Sequence, residues 1–240
     1  MTAARSRTID LAGDTVEYTV RESTRAERAR IDVGLGGVTV VVPEESGVDP
    51  AAVLSNHAEW VRDHAAEAAA RRADLPTRRF EPGATFPYLG EPHEVVVETR
   101  PYSVVDDGAL RLAAHHVDDT SVKRALETLY RRTARDRFER LAEEYAPAVG
   151  VDYGRIEVRN QRTKWGSCST TGTISLNWRL QLAPPAIGEY VVVHELAHRR
   201  ELNHSPAFWA IVAEHDPEYE RHREWLAEEG GRLIFSEDDL

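Results

Sequence analysis

Apolar and polar side chains alternate from Val16 to Val20 and again from Arg28 to Val33, before Gly34, Gly36 and Gly37 lead into the apolar run Val38 to Val42. A period of two is that of a strand with one face buried. Residues 8–43 are therefore expected to be β-structure, stopped by Pro43. Residues 51–73 change to helix formers, with Val53, Leu54, Trp60 and Val61 available for an inner face. The segment from Ala73 to Gly83 is rich in Pro and charge and reads as a connection. Phe86 to Gly90 followed by His93 to Glu98 predicts a hairpin, and Gly108 to Ala114 another short strand.

Three- and four-residue steps then place Val122, Leu126, Leu129, Tyr130, Phe138 and Leu141 on one face of a helix over 120–145, with Pro147 and Gly150 to end it. Lys123, Arg124, Arg131, Arg132, Arg135, Arg137 and Arg140 form a basic ridge on its other side, read as a solvated face. Arg155 to Arg159 and Thr173 to Trp178 predict two more strands, and 186–202 an apolar helix without proline that ends near Asn203. Ser205, followed by Pro206, is an expected N-cap for a helix over 205–213, and another helix is expected from Pro217 to Leu226. Phe208, Trp209, Val212, Trp225 and Leu226 would supply core behind the 186–202 helix, with His215 and His222 outside. No internal repeat is legible.

Composition narrows the class. With 41% hydrophobic and 8% aromatic residues the 240-residue chain is globular. No run of 18 apolar residues is present and the first ten residues carry no hydrophobic leader, so no membrane partner is expected and the cytoplasm is the default location. The lone cysteine, Cys168, excludes an internal disulfide and fits a reducing compartment. A net charge of −11 argues against a protein whose main task is to grip nucleic acid, although the basic ridge keeps that partner as an alternative. Glu228, Glu229, Glu237, Asp238 and Asp239 read as a solvated acidic tail, and the Arg-rich, acidic balance suits adaptation to high salt or a compositional bias.

The chemistry concentrates in the stretch from Val191 to Trp209. His194 and His198 stand four apart with Glu195 next to the first, an H-E-x-x-H pattern in a helical context. Residues four apart project from one helix face, so the two imidazoles can share a metal ion, and Glu195, about 100° around, is placed to reach a water on it. That is the pattern of a zinc hydrolase with Glu195 as base; the bland alternative is two histidines on the surface of a core helix. Catalytic zinc takes three protein ligands. His204 is the first candidate for the third, swung back by a turn at Asn203; Glu201, three after His198, and the more distant His215 are the rivals. The His-x3-His-x5-His spacing also occurs in metzincins, which have Gly where this chain has Glu201. His57 and His64, without an organised carboxylate or Cys beside them, are read as exposed, and Cys168 as a small buried residue in preference to a thiolate ligand.

The run from His194 to Trp209, preceded by W-G-S-C-S-T-T-G-T-I-S-L-N-W-R-L from Trp165 to Leu180, resembles the YgjP-type metallopeptidase family, related to the SprT and WLM zinc proteases. The resemblance implies an α+β fold: a zincin-like domain over 116–240, its H-E-x-x-H helix packed on a small sheet, after a β-rich region over 1–115 with one helix. It implies zinc (Zn2+) on His194, His198 and His204, and Glu195 as base. In such folds the strand before the metal helix borders the cleft, which suits a peptide or protein substrate; Arg162, Lys164, Trp165 and Asn177 are candidates for lining it, with Gly166 as a turn residue. Arg162, Lys164 or a tyrosine is the candidate oxyanion partner. A zinc peptidase is the expected function. The alternatives are hydrolysis of a nucleoside triphosphate, for which no Gly-rich phosphate loop is present, and a DNA-associated protease.

Overall fold

The computed structural model describes residues 6–236 and residue 239; Glu237 and Asp238 of the expected tail lie outside the described residues, as do residues 1–5. The chain is mixed α and β and forms two compact units, Met1–Pro76 and Thr77–Asp239. Among the described residues no helix is long and apolar enough to cross a membrane.

In the first unit, β1 (Ser6–Leu11), β2 (Asp14–Ser23), β3 (Arg30–Gly34) and β4 (Gly37–Pro43) form one sheet in the order β1-β2-β4-β3. Its two hairpins join through a parallel β2-β4 pair. Alternation decides which face is covered. Val16, Tyr18, Val38, Val40 and Val42 are buried together with Leu54 and Val61. The expected single helix over 51–73 is instead two, α1 (Pro50–Ser55), capped by the Asp49 side chain, and α2 (Ala58–Ala73), broken at Asn56 and His57. Trp60, expected inside, is 43% exposed and stacks on His64 at 4.3 Å.

The second unit opens with the same connectivity. β5 (Thr85–Tyr88), β6 (Glu91–Glu98), β7 (Val104–Asp106) and β8 (Ala109–Ala113) form a sheet in the order β5-β6-β8-β7, again two hairpins joined by a parallel pair. Three of the four hairpins in these two sheets turn on X-Gly pairs with positive φ at both residues: Ala12-Gly13, Leu89-Gly90 and Asp107-Gly108. That geometry matches the twist of the flanking strands.

After α3 (Ala114–Asp119) comes α4 (Val122–Val149), started by the Ser121 hydroxyl and ended by Gly150 at φ 75°. Pro147 does not stop it, and the helix runs four residues past the expected end. Phe86, Val95, Leu110 and Leu112 of the sheet share one core with Leu126, Leu129, Tyr130 and Phe138 of α4. The expected domain boundary at 115/116 therefore cuts through a core, and the compact unit begins at Thr77. The basic ridge is not a uniform solvated face: Arg137 is buried, Arg132 donates to the Ser103 carbonyl, and Arg124 and Arg131 pair with Glu127.

A third sheet, order β10-β11-β9, contains β9 (Arg155–Arg159), β10 (Gly166–Cys168) and β11 (Thr173–Asn177), with β10 at one edge. A 3-10 turn (Trp178–Leu182) leads to α5 (Pro185–Ala197), which packs on β10, β11 and α4. α6 (Pro206–His215) and α7 (Tyr219–Glu229) follow and pack against α5. The described residues after α7 are not a solvated tail. Phe235 is buried against Phe86, Tyr130 and Trp178, and Asp239 accepts from the Phe235 and Ser236 amides and from Asn160.

Candidate metal centre

Helix α5 is positioned from α4. The buried Arg137 guanidinium donates to the Pro185 carbonyl at 2.7 Å and to Glu189 at 3.3 Å, and it lies where a side chain on Gly188 would be: a Cβ there would meet Nη1 at 2.5 Å. Along the buried face run Ile187, Val191 and Val192; His194 and His198 emerge at the other end.

The helix stops earlier than its composition suggests. It ends at Ala197, with His198 as its C-cap, where the sequence predicted an end near Asn203. Arg199 and Arg200 donate their amides three residues back, to Leu196 and Ala197, which tightens and closes the last turn. Their side chains leave in other directions. Arg199 reaches the carbonyls of Asp152, Ser169 and Thr170 at 3.1–3.3 Å, and Arg200 that of Val149 at 3.2 Å.

The chain then returns through Asn203, and His204 immediately precedes the Ser205 N-cap, whose hydroxyl accepts from the Phe208 amide. One donor nitrogen each from His194, His198 and His204 lies within 4.8 Å of the other two, and the Nε2 atoms of His194 and His204 are 3.1 Å apart. Beneath all three rings sits the fully buried Phe208, at centroid distances of 4.8, 4.5 and 4.8 Å. Trp209 stacks on His204 and on Tyr219. His198 Nδ1 lies 3.1 Å from the Glu201 carbonyl oxygen, which leaves its Nε2 for the cluster. Burial, then the neighbouring His198 and His204, holds the His194 imidazole down to about 3; burial also lowers His198. Neutral imidazole is the state in which histidine donates to a metal.

Among the described residues these three form the cluster with metal-ligand spacing; Glu201, His215 and Cys168 stand outside it. Glu201 contributes a backbone carbonyl to the site instead of its carboxylate. Cys168 is half-buried on β10, with burial raising its thiol above the ordinary range. His215 and His222, expected outside, are both half-buried, and His222 Nδ1 pairs with Asp216 at 2.8 Å.

Glu195 points away from the core and into a cleft, yet is only 5% exposed, and its Oε2 has no hydrogen-bond partner. Burial pushes its carboxyl up to about 8, with Lys164 pulling the other way. Gly166 makes the space. A Cβ there would meet Glu195 Oε1 at 2.4 Å, so this glycine, expected as a turn residue, is a strand residue that lets the carboxyl lie against β10.

The cleft, about 370 Å³, is lined by Thr163, Lys164, Trp165, Gly166, His194 and Glu195, with Tyr190, Val191, Arg223, Leu226 and Ala227. Two of the four residues expected to line it do so, Lys164 and Trp165. Arg162 is exposed outside the lining. Asn177 is fully buried and spends its amide on structure: it donates to the Gln161 and Lys164 carbonyls and accepts from Arg179, fixing the loop before β10. Tyr190 and Arg223 are the site residues that sequence reasoning left out. Tyr190 lies four before His194, a spacing that could have flagged it; Arg223 comes from α7 and carries no local signal.

A family model for the YgjP-like metallopeptidase domain matches residues 27–229. The chain belongs to the YgjP-like metallopeptidases. As a member of that family it is a metal-dependent peptidase, and the family implies a divalent ion. No curated protein matches the chain. Two solved metallopeptidase zymogens are similar to 38% of this YgjP-like chain and are each covered over 95% of their own length: abylysin of Pyrococcus abyssi, 25% identical with a TM-score of 0.33, and jannalysin of Methanocaldococcus jannaschii, 19% identical with a TM-score of 0.35.

Proposed function

We propose that the chain is a zinc peptidase in which His194, His198 and His204 hold the ion and Glu195 is the general base. The observation that carries this reading is the convergence of three imidazoles on one point beside a buried, unpartnered carboxylate oxygen. The donor set fits zinc: tetrahedral bonds of 2.0–2.1 Å put ligand nitrogens about 3.3 Å apart, close to the 3.1 Å between His194 and His204 Nε2. Zinc so held would supply a water acidified toward pH ~7 and a Lewis acid for the scissile carbonyl.

The chain's own residues supply the rest. The Glu195 carboxylate takes a proton from the attacking water and later returns it to the leaving amine. Lys164 beside it favours the ionised form. Tyr190, whose hydroxyl is 3.5 Å from His194 Nδ1, and Lys164 both line the cleft and are the oxyanion donors it offers, whereas Arg162 lies outside the lining. Burial of Tyr190, which raises the hydroxyl to about 12, keeps it a donor at neutral pH. The lone cysteine fits a reducing, cytoplasmic setting.

Glu195→Gln separates the two roles. Zinc content per chain by elemental analysis is expected to stay at the wild-type value while peptide turnover falls at least a hundredfold. His194→Ala is expected to lose the metal itself. Turnover retained in Glu195→Gln would remove the base assignment.

A further inference from the structure

The cleft beside Glu195 is lined unevenly. Trp165, Val191, Leu226 and Ala227 give it an apolar wall, while Lys164 and Arg223 are its two cations. They come from different elements, the segment leading into β10 and helix α7. Among the described residues neither has a carboxylate at ion-pair distance, in a chain where 41 acids face 30 Lys and Arg. The neighbouring Arg221, by contrast, pairs with Glu218 at 3.2 Å. Arg223 is steadied by another contact. Its guanidinium lies 5.2 Å over the Trp209 ring, the ring that stacks on His204, so its charge is kept on the metal side of α7. A small, half-apolar cleft with two unpaired cations beside the reacting centre is complementary to an anion carried on an organic chain.

We propose that this cleft is a carboxylate subsite: Lys164 and Arg223 select peptides that place a negative charge, an acidic side chain or a free C-terminus, next to the bond that is cut. The inference rests on the peptidase reading above and names its substrate class. Both cations are exposed, so the selection is electrostatic, screened by salt, and about tenfold in size.

The test uses the full zinc-loaded chain. Digestion of a mixed peptide library, read by mass spectrometry, gives the cleavage sites. One cleaved sequence is then made with Glu, Gln or Lys beside the bond, each with a free or an amidated C-terminus. Glu over Gln, or free over amidated, is expected by about tenfold in kcat/KM at low salt, shrinking in 1 M NaCl. Loss on Glu-to-Gln change assigns the charge to a side chain; loss on amidation alone assigns it to the chain end. Arg223→Glu is expected to turn the preference toward the Lys peptide. Binding of the same peptides to the Glu195→Gln variant, measured by calorimetry, should give the same ranking without turnover. Equal kcat/KM and equal affinity across the set would overturn the subsite and leave the peptidase reading standing. If no peptide is cut under any condition, both are overturned.

Discussion

Burying the Glu195 carboxyl works against the fold, and the sign of that cost is measurable. Its pKa rises from the ordinary 4.5 to about 8. Unfolded, the group is ionised above 4.5; folded and without metal, it keeps its proton until about 8. Folding therefore takes up a proton in that window, and stability is lost as pH rises through it. Glu195→Gln, which has nothing to ionise, is expected to be more stable than the wild type, both metal-free, by on the order of 4 kcal/mol at pH 8 and by little at pH 4.5. Urea unfolding at the two values decides this, and a gap that does not change with pH would show that the carboxyl is not held protonated. His194 has the opposite dependence. Its pKa falls from 6.5 to about 3, so the unfolded chain binds the proton first and stability is lost as pH falls below 6.5. Gly166 belongs to the same scale. Gly166→Ala puts a methyl 2.4 Å from Glu195 Oε1, and the carboxyl must move. Turnover is expected to fall at least tenfold with the zinc content unchanged, because the three atoms nearest the added methyl all belong to Glu195.

At the scale of elements, the three histidines proposed as metal ligands are brought together by where α5 ends. A helix running straight on would carry Glu201 onto the histidine face; the closure at Ala197 takes His204 there instead. Arg199 fixes that closure through three carbonyls, two of them in the turn between β10 and β11. Arg199→Ala is expected to weaken zinc binding about tenfold, in line with losses seen when groups supporting a ligand are removed, as measured by competition with a chromophoric chelator; unchanged affinity would mean the turn holds itself. This also shows what could be read from the chain. The H-E-x-x-H pair, the Ser205 cap and the strand alternation are local patterns, visible within a few residues. The helix end was not legible, because it depends on Asp152, Ser169 and Thr170, which lie far off in sequence. Asn177 misled for the same reason: a polar residue in an alternating strand looks exposed, yet the carbonyls of Gln161 and Lys164 satisfy it in the core.

For the whole molecule, hydrogen-bond connectivity repeats where sequence does not. Both four-stranded sheets order their strands first-second-fourth-third and are followed by two helices, although no repeat is visible in the residues. Strand order depends on which backbones pair, and many side-chain sets satisfy one pairing, so this duplication was not legible. It matters for where the chain can be divided. The first sheet has a core of its own, whereas the second buries Phe86, Val95, Leu110 and Leu112 against α4 in the core that also holds α5 and α6, with Tyr130 donating to the Pro87 carbonyl. At roughly 1.5–3 kcal/mol for each large side chain, those four contribute about 6–12 kcal/mol, as much as the whole net stability of an ordinary domain. Residues 77–240 are therefore expected to unfold cooperatively and to bind one zinc per chain, since the three histidines and Glu195 all lie in that unit. Residues 116–240, cut at the boundary that composition suggested, lack the partner of α4 and should be molten: far-UV circular dichroism kept, near-UV signal and thermal cooperativity lost. A cooperative transition in the shorter fragment would show that the sheet of β5 to β8 is dispensable to the metal-binding unit.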